Sequence, residues 1–167
     1  VQNDFYCANT TRLTNTTVVL GNLIVDAGCN ITVADGFTLR VEGTTTINNG
    51  GVLGSNSAYN LDLNGVLTIN SGGILNAPNA TGTWLQSGNF TIQSGATLNH
   101  DSGTYVADGN HTLTTGTATT TFYNLNVSNG ITLTTIGTAI YSAGVLTIGT
   151  TAPATLTLSG ATSNFYV

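Results

Sequence analysis

A chain of 167 residues is long enough for one domain with a core, and only 5% of this one is charged, for a net charge of −5. Arg12 and Arg40 are its only cations, which excludes electrostatic attraction to nucleic acid or to an anionic membrane surface. No apolar run is long enough to span a bilayer, so we predict no membrane span. Thr, Asn, Ser and Gly take the place of charge, and such residues favour strands and turns, hence an all-β fold.

Residues 1–20 precede the repeats, and we interpret them as an N-terminal segment that acts as a cap or a donor strand. Cys7 lies in this segment, and Cys29 lies a short distance beyond it. Two cysteines are an even number, and the composition is that of an extracellular chain. We therefore predict a Cys7–Cys29 disulfide, with two buried free thiols as the alternative.

A repeat organises residues 21–130, where five consecutive units share a period of 21 to 23 residues. Each unit begins at a glycine and continues into a strand whose residues alternate between two faces. A turn rich in Asn, Ser and Gly follows, then a third apolar position and a second strand. The units are GNLIVDAGCNIT, GTTTINNGGVLG, GVLTINSGGILN, GNFTIQSGATLN and GNHTLTTGTATT, and they begin at Gly21, Gly43, Gly65, Gly88 and Gly109.

Three apolar faces recur in each period, which predicts a triangular parallel β-helix, or β-solenoid, with coils of about 22 residues. An antiparallel β-sandwich of pilin-like or jelly-roll topology shares the alternation and the turns, but it gives no reason for the repeat. The predicted inward residues are Leu23/Val25, Thr45/Ile47, Leu67/Ile69, Phe90/Ile92 and His111/Leu113 on the first strand, Leu39/Val41, Leu61/Leu63, Trp84/Gln86 and Tyr105/Ala107 on the second, and Ile31, Leu53, Leu75 and Leu98 after the turn.

Residues 131–167 continue the same domain as irregular C-terminal coils. The spacing between glycines shrinks to 14 and 16 residues, from Gly130 to Gly144 and on to Gly160. This spacing predicts shorter coils or a change to a flatter sheet.

Groups able to catalyse a reaction or bind a metal are scarce, so we expect no enzyme activity and no cofactor. Cleavage of acidic polysaccharides needs clustered carboxylates or a basic residue at the reacting carbon, and the acids here are dispersed along a chain without Lys. His100, Asp101, Asp108 and His111 come nearest to a metal-ligand set. A site needs three or more converging groups, so we interpret His111 as a core residue and His100 as a loop residue.

Asn-X-Ser/Thr is the one modification motif that recurs. Asn89 and Asn110 occupy equivalent corners of neighbouring units, and Asn126 alternates against apolar neighbours and so faces outward. The alternative is that these residues serve turns and corner ladders. The candidate glycosylation sites are Asn9, Asn15, Asn30, Asn79, Asn89, Asn110 and Asn126.

Both ends of the chain carry aromatic residues in place of a polar capping element. A parallel solenoid has an exposed strand edge at each end, and such edges recruit further strands. Phe5, Tyr6, Phe165 and Tyr166 are therefore candidates for packing on a neighbouring copy or donating a strand to it. The alternative is that these residues fold back as local caps.

The segments LTINSGGILN and FTIQSGATLN resemble repeats of large microbial surface proteins: adhesins, autotransporter passengers and archaeal extracellular filament subunits. The resemblance covers Gly21 to Thr120 and implies an extracellular or cell-surface location. It implies a structural subunit of a filament or fibre, joined head to tail to copies of itself. The alternative is an adhesin or carbohydrate-binding segment of a larger protein, with glycans or a cell surface as partner, which exposed Trp84 and Tyr59 would favour.

Overall fold

The computed structural model describes residues 3–116, 120–137, 140–142, 144–159 and 165–166. Within these ranges the chain forms 23 short strands and no helix. It winds through about seven turns as a β-solenoid with coils of about 22 residues. Every strand pairing is parallel, as between Leu67 and Phe90. The predicted fold class is therefore confirmed, and the antiparallel sandwich is excluded.

Each coil contributes one strand to each of three faces. Sheet A, the first face, contains β1 (Phe5–Cys7), β4 (Leu23–Val25), β7 (Thr45–Ile47), β10 (Leu67–Ile69), β13 (Phe90–Ile92), β16 (His111–Thr115), β19 (Thr132–Ile136) and β22 (Thr155–Ser159). Sheet B contains β2 (Thr11–Leu13), β5 (Asn30–Val33), β8 (Val52–Leu53), β11 (Ile74–Asn76) and β14 (Thr97–Asn99).

Sheet D takes the place of sheet B in the later coils and contains β17 (Thr120–Phe122), β20 (Ile140–Ser142) and β23 (Phe165–Tyr166). Sheet C, the remaining face, contains β3 (Thr17–Val19), β6 (Thr38–Val41), β9 (Asn60–Leu63), β12 (Thr83–Gln86), β15 (Thr104–Ala107), β18 (Asn124–Val127) and β21 (Leu146–Ile148).

The core is a column of aliphatic and aromatic side chains enclosed by the three faces. Ile47, Ile69 and Ile92 stack directly in sheet A, as predicted, and are buried. Leu61 stacks on Trp84 in sheet C. Burying a side chain of this size stabilises a protein by about 1.5–3 kcal/mol, and one coil alone would leave its inward side chains in water. Stacking is therefore what makes each coil stable.

The corner after each sheet A strand is built from amides that repeat from coil to coil. Asn48 donates through Nδ2 to Asp26 Oδ1 at 2.6 Å, and Asn70 donates in the same way to Asn48 Oδ1 at 2.7 Å. Gly50 in this corner has a φ of 77°, a conformation that L side chains rarely adopt. At the opposite end of the strand, a Cβ on Gly65 would overlap the carbonyl of Gly43. The recurring Asn and Gly are thus requirements of stacking.

Two sequence expectations about register are wrong. Coil length does not shrink after Gly130, because Leu133 pairs with Leu156 and Leu125 pairs with Leu146. The glycines used for the prediction lie in different corners of the coils, so the spacing between them is not the number of residues in one coil. The second expectation concerns the fifth repeat. The repeat alignment placed His111 next to Phe90, but Leu113 pairs with Phe90.

The register shift arises at the start of β16, whose first two residues, His111 and Thr112, have no partner in β13. Ala107 pairs with Gln86 before this point, and Leu113 pairs with Phe90 after it. As a result Asn89 and Asn110 do not stack as equivalents, which corrects the predicted alignment.

Candidate functional site

The C-terminal end of the described solenoid exposes the apolar column. Leu146 and Ile148 on β21, and Leu156 and Leu158 on β22, pair with inward-facing residues of the preceding coil. Ile148 is 40% exposed and Leu158 is 41% exposed. Val127, directly beneath Ile148, has no exposed surface. Burial is lost here because no described strand covers the inward positions of the last coil.

The N-terminal end presents the opposite edge of the same three faces. Residues 5–19 form a complete first coil, with β1 at the edge of sheet A, β2 at the edge of sheet B and β3 at the edge of sheet C. Phe5 faces inward and packs against the core while half-buried, and Leu13 does the same on β2. Tyr6 faces outward and is 67% exposed. The predicted aromatic pair therefore divides into a core residue and a surface residue.

The backbone of the first strand has a free edge. Phe5 N donates to Asn22 O at 2.7 Å, and Cys7 O accepts from Asp26 N at 2.9 Å. Backbone groups alternate in direction along a strand, so the N–H and C=O of Tyr6 point away from the second coil. No described strand lies on that side.

The predicted aromatic residues at the other end lie in a short strand. Phe165 and Tyr166 form β23, which pairs in parallel with Ile140 and Tyr141 of β20. They are thus part of the final edge of sheet D in this copy of the chain. Their role in assembly stays a prediction.

Cys7 and Cys29 form a disulfide, as predicted. Their sequence separation is 22 residues, one coil, so the bond links the first coil to the second. Both side chains are buried. A disulfide is compatible with an extracellular location, where oxidising conditions allow it to persist.

A buried polar cluster lies in the middle of the column, beneath sheet A. His111 faces inward, as the sequence suggested. Its Nδ1 donates to Gly109 O at 2.8 Å, so its Nε2 accepts from the Tyr105 hydroxyl at 2.7 Å. Burial lowers the pKa of His111, an effect that the Gly109 carbonyl and Asp108 partly oppose. This histidine is a neutral core residue with both nitrogens satisfied.

Arg40, Glu42 and Asp62 form a small surface network on sheet C. Arg40 Nε lies 2.7 Å from Glu42 Oε1 and 3.5 Å from Asp62 Oδ2. A hydrogen bond from Asn64 and another from Arg40 lower the pKa of Glu42, whereas burial raises the pKa of Asp62. Arg40 and Asp62 lie opposite each other on neighbouring strands, and Glu42 follows Arg40 by two residues.

Two cavities in the described ranges are small or open to solvent. A cavity beside Trp84 and His100 measures about 10 Å³, at the lower limit for one water molecule. A groove of about 430 Å³ beside Arg12, Asp35 and Ser55 is open to solvent. Within the described ranges, no three His, Cys, Asp or Glu side chains converge to hold a metal. In the same ranges, no helix has the length and apolar character needed to cross a membrane.

The seven glycosylation motifs differ in accessibility. Asn9, Asn15, Asn89 and Asn110 are exposed, whereas Asn30, Asn79 and Asn126 are half-buried. Asn30 Oδ1 is buried without a hydrogen-bond partner, and Asn79 Nδ2 donates to Asn56 Oδ1 at 2.7 Å. The motifs are therefore not equivalent in the folded protein.

No protein-family model, no curated protein and no solved structure matches this chain. The resemblance to microbial surface repeats therefore has no support from a relative.

Sequence reasoning missed the apolar surface at the C-terminal end. The signal was present in the alternation of Leu146/Ile148 and Leu156/Leu158, which resembles that of the interior coils. We did not interpret this alternation as regular coils, because the spacing of the glycines suggested that regular coils end near Gly130. We predicted that aromatic residues form the contact surfaces at the ends, but at the C-terminal end Ile148 and Leu158 are exposed, beside the half-buried Leu146 and Leu156.

Proposed function

We propose that this protein is a structural subunit of an extracellular filament or cell-surface fibre, which assembles head to tail through its strand edges. The single observation that carries the proposal is the open apolar column at the C-terminal end. Leu158 and Ile148 occupy positions that are fully buried in interior coils, yet about two fifths of each is exposed. A neighbouring coil of the same three-faced shape is the natural cover for such a surface.

The N-terminal coil of a second copy has this shape. It presents the half-buried Phe5 and Leu13 from the same sheets, with free backbone groups on β1. Placing β1 of one copy against β22 of the next would extend sheet A without changing strand direction. The two contacting surfaces are different, and contacts between different surfaces do not close into a dimer but propagate as a fibre.

Charge does not oppose such a junction. No charged residue follows Asp108 in the sequence, so the C-terminal end adds no like-charge repulsion. At the N-terminal end, Asp4 already accepts from the backbone N–H of Asn22 at 2.7 Å. Apolar burial and backbone pairing therefore supply the contact, and ion pairs contribute little.

The test is electron microscopy of negatively stained purified protein, comparing the wild type with Tyr6→Pro. Proline removes the N–H that points away from the second coil, and edge strands tolerate proline at such positions. We expect the wild type to form threads and Tyr6→Pro to stay as single particles with an unchanged thermal midpoint.

Tyr6→Ala is the matched control, because it removes the exposed ring and keeps the N–H. We expect Tyr6→Ala to form threads. Wild-type protein that stays monomeric at high concentration, or Tyr6→Pro threads as numerous as those of the wild type, would overturn the proposal.

The alternative of an adhesin or carbohydrate-binding segment has lost its main argument. Trp84 and Tyr59, the aromatic residues offered for stacking on sugars, are both buried in the core. Trp84 packs edge-on against Tyr105, with ring centroids 4.8 Å apart. We therefore retain the structural role.

A further inference from the structure

We propose that Asn89 and Asn110 carry N-linked oligosaccharides. Of the seven Asn-X-Ser/Thr motifs, these two are the ones that the fold presents in a form suited to modification. The inference concerns covalent modification and does not depend on filament assembly. It rests on three features of the two motifs: the direction of the middle residue, the hydrogen bond of the Asn side chain, and the open surface beside it.

The middle residue of each motif is an anchor in the core. Phe90 is fully buried between Asn89 and Thr91, and His111 is buried between Asn110 and Thr112. Side chains alternate along an extended chain, so Asn and Thr of each motif lie together on the outer side of sheet A. The asparagine and the hydroxyl that define the motif are thus presented on one face.

The Asn side chain is held in a defined orientation through its oxygen. Asn89 Oδ1 accepts from Thr112 N at 2.9 Å, and Asn110 Oδ1 accepts from Thr132 N at 2.7 Å. Both side chains are exposed, and neither Nδ2 has a hydrogen-bond partner among the described residues. The reacting nitrogen is therefore free while the oxygen remains engaged with the protein.

Glycosylation preserves this arrangement. Transfer forms a bond between Nδ2 and the anomeric carbon of an oligosaccharide carried on a lipid phosphate. The bond from that carbon to the phosphate oxygen breaks, and the lipid phosphate leaves with the proton lost by Nδ2. The product is still an amide, so Oδ1 continues to accept from the next coil.

The surface beside the two residues has room for the first sugar. A shallow groove of about 350 Å³ is lined by Asn89, Asn110, Thr112, Thr132 and Thr134. Threonine hydroxyls and carbohydrate hydroxyls are mutual hydrogen-bond partners. The groove lies on the side of the solenoid, away from both strand edges.

Each of the five other motifs lacks at least one of these features. Asn79 uses its Nδ2 as a donor to Asn56, so a glycan there would break the contact. Asn30 has a buried Oδ1, and Asn126 is half-buried within β18. Asn9 and Asn15 are exposed, but no hydrogen bond holds either side chain oxygen among the described residues.

The test is secretion of the chain from a eukaryotic cell line, followed by site-by-site mass spectrometry after enzymatic removal of glycans in heavy-oxygen water. We expect high occupancy at Asn89 and Asn110 and little at Asn30, Asn79 and Asn126. Thr91→Val and Thr112→Val should each remove one glycan while leaving the Asn hydrogen bond in place.

Asn22 offers a control for accessibility. Its Oδ1 accepts from Thr44 N at 2.9 Å, as in the proposed sites, but Asn22 is half-buried, and Asn22-Leu23-Ile24 is not a motif. Ile24→Thr creates a motif, and we expect little glycan at Asn22, because the hydrogen bond is present there without the exposure. Unmodified Asn89 and Asn110 in the secreted protein would overturn the inference, as would occupancy confined to the half-buried motifs.

Discussion

The inward side chains of this protein are of two kinds, apolar and polar. Most inward residues are aliphatic, but Tyr105, His111 and Gln86 place polar atoms inside the column. Gln86 donates through Nε2 to two glycine carbonyls, and Tyr105 donates to His111. Buried polar groups that keep their hydrogen bonds are tolerated, whereas a charge in the same place is costly. His111 is the residue where that difference depends on pH.

We expect the protein to lose stability as the pH falls below about 6.5, the ordinary pKa of histidine. Burial lowers the pKa of folded His111, so in this range the unfolded chain binds a proton that the folded protein does not. The contribution of neutral His111 to the free energy of unfolding is fully present above pH 6.5. Below that pH it decreases by up to about 1.4 kcal/mol per pH unit, until the pH reaches the pKa of His111 in the folded protein.

Urea unfolding at several pH values measures this effect. His111→Leu should be less stable than the wild type at pH 8, because Tyr105 loses its acceptor, and it should show a smaller decrease between pH 7 and 5. Equal pH dependence in the two proteins would contradict the assignment.

At the scale of the strand, each element is too short to be stable alone. The strands hold two to five residues, and their ladders come from neighbouring coils. Interior strands such as β10 are covered on both edges, whereas β1 is paired on one edge only. A terminal coil in such an array is expected to open before the interior ones. The Cys7–Cys29 disulfide is placed where this opening would begin.

Replacing both cysteines by serine should therefore act locally. The bond closes a loop of about 22 residues, for which chain entropy predicts about 3 kcal/mol. We expect hydrogen exchange of amides in β1 and β2 to accelerate strongly and that of β10 to change little. The measurement is exchange followed by mass spectrometry, and equal acceleration in all coils would show that the disulfide does not secure the terminal coil.

At the scale of the whole molecule, the solenoid is a directional object. One end shows β1 with Phe5 half-buried, and the other shows β22 with Leu158 exposed. The two ends differ, so a copy that is blocked at one end still has the other available. Because the two ends are different surfaces, head-to-tail growth can be distinguished from a symmetric dimer, in which the same surface of each copy forms the contact.

Mixing two blocked variants uses this property. Tyr6→Pro blocks the N-terminal edge, and Leu158→Asp places a charge in the apolar C-terminal surface. Each variant alone should remain monomeric. An equimolar mixture should form dimers and nothing longer, because only one productive pair of ends remains.

Light scattering after size-exclusion chromatography gives the mass of each species. Thr157→Asp, on the outward face of the same strand as Leu158, is the matched control and should still form threads. Dimers of either blocked variant alone would indicate a symmetric contact and contradict head-to-tail assembly.

Periodicity alone was sufficient for the central architecture. Ile47, Ile69 and Ile92 recur one coil apart, and a side chain can be buried at such intervals only if the coils stack. The alternation of Leu and Thr distinguished inside from outside. Each of these inferences depends on neighbouring residues or on a regular repeat, and the amino-acid sequence shows both directly.

Register and exposure at the ends required the tertiary structure. Two additional residues at the start of β16 moved Leu113 onto Phe90, because hydrogen bonding between coils, and not the nearest glycine, decides which residues meet. The alternation already predicted that Trp84 faces inward, whereas Tyr59 is buried because of what stacks beside it, which one coil does not reveal. Leu158 has the same local pattern as Leu133, and only the lack of a described strand above it makes it a surface. Sequence thus determined which side chains turn inward, and the stacking of coils decided which of them are covered.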